Sequence, residues 1–305
     1  MIFVLYSTSP GFLIIKFCVC YNNYTIIVEN AIKYKVERYK IYMSENTNLK
    51  IFDSHAHYDD DAFDEDREQL LIDVHNSGIE RIVNIGCDVA TSEATLKLTE
   101  NYDYIYGAVG IIPHHVGDIG DKDIDRIREL ANSSPKIVAI GEIGLDYYYD
   151  EPSRELQHKW FRAQLDLARE LGLPVVIHSR EAAMDTIQIM KDCHAEEIGG
   201  VVHCYSYSME TSDDFLKMGF YFGIGGVVTF KNSKKLVRAV EHIPLDRIIL
   251  ETDCPYLAPT PNRGKRNDSR NLRYVAEKIA ELKGITAEEV AEITYTNACR
   301  MYNID

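Results

Sequence analysis

From Leu49 onward, short apolar runs alternate with longer stretches in which apolar residues recur every three or four positions. The short runs are Ile51-Phe52, Arg81 to Ile85, Tyr104 to Val109, Ile137 to Ile140, Pro174 to Ile177, Gly200 to Val202, Gly219 to Ile224 and Arg247 to Leu250. Their length and β-branched bias predict eight strands. Helical spacing fills 65–76, 92–100, 123–131, 154–171, 182–193, 212–218 and 233–241, and two closing helices are expected over 271–283 and 287–301. Most of the strand runs are apolar without alternation, which requires burial on both faces and therefore a parallel sheet. An α/β fold follows, most simply a (β/α)8 TIM barrel over 49–305, with a doubly wound open sheet as the competing architecture.

Residues 1–48 break this pattern. Apolar residues gather from Phe12 to Cys20, but Lys16 interrupts them and Tyr21-Asn22-Asn23 ends the run at about half the roughly 20 residues a membrane span needs. No basic region precedes the run and no small-x-small site follows it, so a secretory signal is not expected either. The segment reads as an N-terminal extension without a folding role, with Met43 as the expected natural start.

Composition narrows the class. With 46% hydrophobic and 27% charged residues among 305, the chain is expected to be a soluble globular protein. Its formal charge of −15, from 48 acidic and 33 basic residues, makes the average surface repel phosphate backbones and anionic membranes. An anionic substrate must then be attracted locally, by metal ions or a small basic patch. Seven scattered cysteines without a C-x-x-C pair are expected to be reduced thiols in a cytoplasmic protein. Neither a Walker-type loop nor a dinucleotide glycine pattern is present, and Ser179 and Ser206 lack a nucleophile-elbow context. Cys204 and Cys254 adjoin the candidate ligands, but neighbours along a strand face opposite sides, so both thiols are expected to serve packing.

The chemistry-bearing residues fall at the carboxyl ends of the expected strands: His55 and His57 after the first, then Glu142, His178, His203 and Asp253. In a TIM barrel these ends surround one mouth, so residues distant in the chain converge. His55 and His57, two apart, share a strand face. A lone buried histidine is usually a hydrogen-bonded core residue and a carboxylate after a strand often caps the next helix, but the recurrence at five strand ends points to metal. Imidazole with carboxylate suits zinc, manganese or magnesium, and six donors exceed one tetrahedral ion, so two divalent metal ions are expected.

The chain also resembles the TatD family of metal-dependent hydrolases from Phe52 to its C-terminus. The resemblance rests on Asp53-Ser54-His55-Ala56-His57, Ile140-Gly141-Glu142-Ile143-Gly144-Leu145-Asp146-Tyr147, His178-Ser179-Arg180, His203-Cys204-Tyr205-Ser206 and Glu251-Thr252-Asp253-Cys254-Pro255-Tyr256-Leu257, with Arg263 to Asn267 and Thr296-Asn297-Ala298 as further matches. It implies a TIM barrel, a divalent-metal centre and phosphodiester hydrolysis, typically as a 3′-to-5′ exodeoxyribonuclease acting on single-stranded DNA or 3′ ends. It makes His55, His57 and Asp253 ligands of one ion, His178 and His203 ligands of the other, and Glu142 the bridge. Asp253 is then also the general base. The chain departs from the family at Ile112, where a histidine is common, at Tyr207, where a glycine is common, and at Asp268, where glutamate is usual.

Substrate contacts are expected from His114 and Arg180 near the mouth, and from Arg266 within the basic run Arg263, Lys265, Arg266, Arg270 and Arg273, with Tyr147 or Tyr256 as a stacking face. A loop histidine, a helix start and a solvated helix face are the plain alternatives for these positions. The expected protein is a monomer that engages DNA and no membrane. Two other functions stay open: an ester or amide hydrolase such as a D-aminoacyl-tRNA deacylase, because the same water and ions can attack carbon, and a non-catalytic metal-binding scaffold.

Overall fold

The computed structural model describes residues 2–9, 12–21, 24–25 and 49–305. Two compact units result, Met1–Asn48 and Leu49–Asp305. In the first, β1 (Ile2–Ser9) pairs antiparallel with β2 (Phe12–Tyr21), in a register running from Ile2 opposite Val19 to Ser9 opposite Phe12, and β2 pairs with β3 (Tyr24–Thr25). The expected start at Met43 lies outside the described residues.

The second unit is a TIM barrel. Its strands are β4 (Ile51–Ala56), β5 (Ile79–Ile85), β6 (Ile105–Val109), β7 (Ile137–Asp146), β8 (Val175–Arg180), β9 (Gly200–Val202), β10 (Tyr221–Ile224) and β11 (Ile248–Leu250). Each is parallel to its sequence neighbours, in the order β4 to β11 without reversal. A doubly wound sheet would reverse direction at a switch point, so the order decides the architecture. The β4–β11 edge closes through single bonds: Ser54 Oγ donates to the Leu250 carbonyl at 2.8 Å, Asp253 N to the His55 carbonyl at 2.9 Å and His57 N to the Cys254 carbonyl at 2.9 Å.

Among the described residues nine helices cover the barrel: α1 (Arg67–Asn76), α2 (Val89–Asn101), α3 (Asp121–Ser133), α4 (Arg154–Leu171), α5 (Ala183–Asp192), α6 (Met209–Lys217), α7 (Lys234–His242), α8 (Leu272–Lys283) and α9 (Ala287–Tyr302). Local signals set their ends. Ser153 caps α4 by accepting from Leu156 N, and the left-handed Gly172 stops it; Thr286 and Glu289 form a capping box on α9. Phe52, Val83, Ile85, Ala108, Ala139, Val176, Val201 and Ile249 form a buried cluster with Ala298, Met301 and Tyr302 of α9. These side chains fill the lower barrel, so polar chemistry is confined to the upper rim, where the strands end. None of the helices searched is long and apolar enough to cross a membrane.

Candidate metal centre

The ligand candidates sit further inside the strands than the apolar runs imply. β7 continues past Ile140 through Glu142 to Asp146, and β8 continues through His178 to Arg180. Register shifts interrupt β4 between Asp53 and Ala56 and β7 between Ile140 and Ile143, on the segments that carry His55 and Glu142. Such irregularities re-aim side chains at the rim. Asp253 adopts a left-handed backbone (φ 57°), as does Cys204 (φ 45°) beside His203. Non-glycine residues rarely hold this conformation, and it concentrates at functional sites.

All six residues converge. Nε2 of His55 lies 3.1 Å from Nε2 of His57, 3.3 Å from Glu142 Oε2 and 3.7 Å from Asp253 Oδ1; His57 Nε2 lies 3.3 Å from the same Asp253 oxygen. On the other side of Glu142, Oε1 stands 2.5 Å from His178 Nδ1 and 3.7 Å from His203 Nε2. His55 and His203 stack with ring centroids 3.5 Å apart. Three overlapping donor sets follow: His55, His57 and Glu142; His55, His203 and Asp253; and Glu142, His178 and His203. Imidazole nitrogens and carboxylate oxygens gathered this closely form a donor set that fits a divalent cation.

Outer partners hold the rings. His57 Nδ1 donates to the Ile85 carbonyl at 3.0 Å, which turns Nε2 toward the centre. His203 Nδ1 lies 3.2 Å from Glu251 Oε1, and His178 Nε2 lies 2.9 Å from Asp146 Oδ2. Asp146 also stands 3.0 Å from His114 Nε2, so one buried carboxylate serves two imidazoles. Asp53 ties β4 to the loop after β11, accepting from Thr252 Oγ1 and Ser269 Oγ, each at 2.6 Å. In the sequence, Asp146, Glu251 and Asp53 stand out only as parts of the family motifs. Strand parity offered a signal: Glu251 stands two residues before Asp253, and Asp146 four after Glu142.

The electrostatics divide the groups sharply. Burial opposes charge on Glu142, but His203 and His178 outweigh it and hold the carboxyl well below its usual range. Burial likewise opposes charge on His178, yet Glu142 and Asp146 raise it to about 10; Glu251 and Glu142 raise His203 to about 9. His55 goes the other way, lowered by burial and by His203. Asp253 stays below its ordinary value because His57 and its neighbouring imidazoles offset burial. Burial pushes Asp53 up to about 7 despite its hydroxyl donors.

The remaining candidates separate. His114 lies near His178, with ring centroids 5.9 Å apart, and the exposed Arg180 packs on Tyr148 beyond it. Arg266 is engaged locally: both its terminal nitrogens reach Asp66, at 2.8 and 2.6 Å, and it rests over the Phe63 ring. Arg270 is likewise committed to Asp268. Two of the five cations of the basic run are thus paired with carboxylates. Tyr147 is tied through its hydroxyl to His158 and Asp185 and covered by Arg154, and the Tyr256 hydroxyl donates to Asp60 at 2.7 Å. Cys254 is buried as packing, but the turn at Cys204 brings its thiol within 4.8 Å of His203 and Glu251 donor atoms, contrary to the expected opposite-face placement. Burial raises that thiol well above its ordinary range, so it is a neutral neighbour rather than a nucleophile. Tyr207, where the family favours glycine, uses its hydroxyl on Ser179 Oγ at 2.9 Å and Ala182 N at 3.2 Å.

A TIM barrel whose rim gathers imidazoles and carboxylates around Glu142 is the architecture of a metal-dependent hydrolase. The pattern of the family described as TatD related DNase matches residues 52–303. The chain belongs to this family. It is 44% identical over 255 residues to a Bacillus subtilis (strain 168) protein described as the uncharacterized metal-dependent hydrolase YabD, covering 84% of this chain and 100% of that one. It is 32% identical over 260 residues to the 3′-5′ ssDNA/RNA exonuclease TatD of Pectobacterium parmentieri (strain WPP163), covering 83% and 100%. Among solved structures, YJJV, a TatD homolog from Escherichia coli K12, superposes with a TM-score of 0.80 at 28% identity, covering 85% of this chain and 100% of that one.

Proposed function

We propose that this chain cleaves phosphodiester bonds in single-stranded DNA, removing nucleotides from the 3′ end with two divalent cations, Mg, Mn or Zn. The observation that carries this reading is the placement of Glu142, whose one oxygen stands 3.3 Å from His55 and whose other stands 2.5 Å from His178. One carboxylate shared by two imidazole sets is the arrangement a two-cation centre needs. His55, His57 and Asp253 would hold one cation, His178 and His203 the other, with Glu142 between them. Bound there, the cations would lower the pKa of a water and stabilise charge developing on phosphoryl oxygens.

The chain's own residues supply the rest. Asp253, held ionised by His57 and its neighbours, accepts the proton of the attacking water. Asp146 and Glu251 hold His178 and His203 in place, so the centre needs little rearrangement to take up metal. His114, whose ring centroid is 5.9 Å from that of His178, and the exposed Arg180 are suited to the nonbridging oxygens, Arg180 as a two-pronged donor.

Purified protein incubated with end-labelled single-stranded DNA tests this. Stepwise 3′ shortening that requires Mg²⁺ or Mn²⁺, stops in EDTA and is lost in Glu142→Ala is expected. Intact DNA beside hydrolysis of a D-aminoacyl-tRNA ester would replace the phosphodiester reading with the ester one.

A further inference from the structure

Two residues at the mouth remain without a task in the hydrolysis itself. Tyr148 and Tyr149, in the loop after β7, are 54% and 51% exposed, which is unusual for large rings beside a buried polar centre. They meet edge to face with centroids 4.9 Å apart. The Arg180 guanidinium lies over the Tyr148 ring at 3.7 Å and within 5.8 Å of the Tyr149 ring. Tyr149 in turn meets His114 edge to face at 5.0 Å, and His114 shares Asp146 with His178. A continuous line of contacts therefore runs from a proposed metal ligand out to two exposed rings. The loop is anchored at its start, where Tyr148 N donates to Asp146 Oδ1 at 2.9 Å.

We propose that Tyr148, Tyr149 and Arg180 form a nucleobase-stacking subsite that takes an unpaired base next to the scissile phosphate. This deepens the phosphodiesterase reading above and rests on it. A guanidinium lying flat on a ring keeps its N–H edge directed outward, where it can fork onto a phosphate while the ring face takes a base. Beyond Tyr149 a shallow depression of about 580 Å³ is lined by His114, Tyr149, Asp150 and Glu151. Its two carboxylates repel phosphate, so the backbone runs on the Arg180 side and the neutral base lies toward the tyrosines. A base stacked inside a duplex has no free face to offer them, and a paired terminal base cannot leave its partner to enter between the rings without the cost of unpairing. The subsite thus selects single strands by stacking, with little sequence preference, because every base has a π-face.

The test is binding of fluorescein-labelled dodecathymidylate to the full chain in Ca²⁺, against the same strand with abasic sites at its two 3′-terminal positions and against a blunt duplex. Wild type is expected to bind the intact strand about tenfold more tightly than the abasic one, within the range that loss of a stacking face produces. The duplex is expected to bind like the abasic strand. Tyr148→Ala/Tyr149→Ala is expected to bring the ratio to about one, and Tyr148→Phe/Tyr149→Phe to retain it. Arg180→Gln is expected to reduce the salt slope of binding by about one ion. A ratio near one in wild type, or a tenfold ratio surviving the double alanine change, overturns the subsite. A parallel cleavage assay in Mn²⁺ separates the two claims. Cleavage without base dependence keeps the hydrolase reading and removes the subsite, whereas base-dependent binding without cleavage keeps the subsite and removes the nuclease reading.

Discussion

Glu142 illustrates how much of the centre depends on single atoms, because its two oxygens face different imidazole sets. Replacing it by alanine removes donors from both sets at once. Glu142→Ala is predicted to lose at least one bound metal per chain, measured by inductively coupled plasma mass spectrometry, where wild type retains two. Glu251 acts one step further out, on His203. Glu251→Gln is predicted to weaken metal binding or activity by roughly 10- to 100-fold, the usual cost of losing such a partner; unchanged metal titration curves would contradict it. The histidines also set a pH dependence. In the metal-free protein His178 and His203 titrate at about 10 and about 9, so both are protonated at pH 7, and a cation must displace those protons. Metal binding is therefore predicted to release protons and to tighten as pH rises from 7 toward 9. Calorimetry in buffers of different ionisation heat reads this directly, and proton uptake would refute it.

The strands decide where these atoms lie, and here the sequence was legible in part. All eight apolar runs became barrel strands, because continuous β-branched residues have few other uses. What the runs could not reveal was that β7 extends to Asp146 and β8 to Arg180, since polar residues carry these strands into the rim. Nor could alternation foresee the register shifts beside His55 and Glu142, which depend on the facing strand. Gly144 shows a constraint of the same kind. It has φ 145°, and a Cβ there would stand 1.9 Å from the His178 carbonyl oxygen of the adjacent strand. Gly144→Ala is predicted to destabilise the barrel by about 2 kcal/mol or more from backbone strain and the clash, and to displace His178. A thermal melt coinciding with wild type would show that the close approach is not required. Gly223 makes a parallel allowance for Glu251, whose Oε2 a Cβ would meet at 1.9 Å.

For the whole molecule, 48 acidic residues outnumber 33 basic ones although the proposed substrate is an anion. The basic run after β11 reads in sequence as the counterweight, but Asp66 and Asp268 occupy Arg266 and Arg270. Those partners are remote or local in ways that charge counting misses: Asp66 lies 200 positions away in the chain. Arg266→Ala is accordingly predicted to lower thermal stability modestly, by roughly 0.2–1 kcal/mol as an exposed pair warrants, and to leave the salt dependence of DNA binding largely intact. A flattened salt slope would return Arg266 to the substrate path. By contrast, the convergence of His55, His57, Glu142, His178, His203 and Asp253 was readable because strand ends of a parallel barrel share one mouth.

Crystals of the protein soaked with Mn²⁺ and measured at the manganese absorption edge would test the central claim most directly. Two anomalous peaks about 3.5–4 Å apart are predicted, one beside His55, His57 and Asp253, the other beside His178 and His203, with Glu142 between them. A single peak, or a pair that Glu142 does not touch, would contradict the two-cation centre.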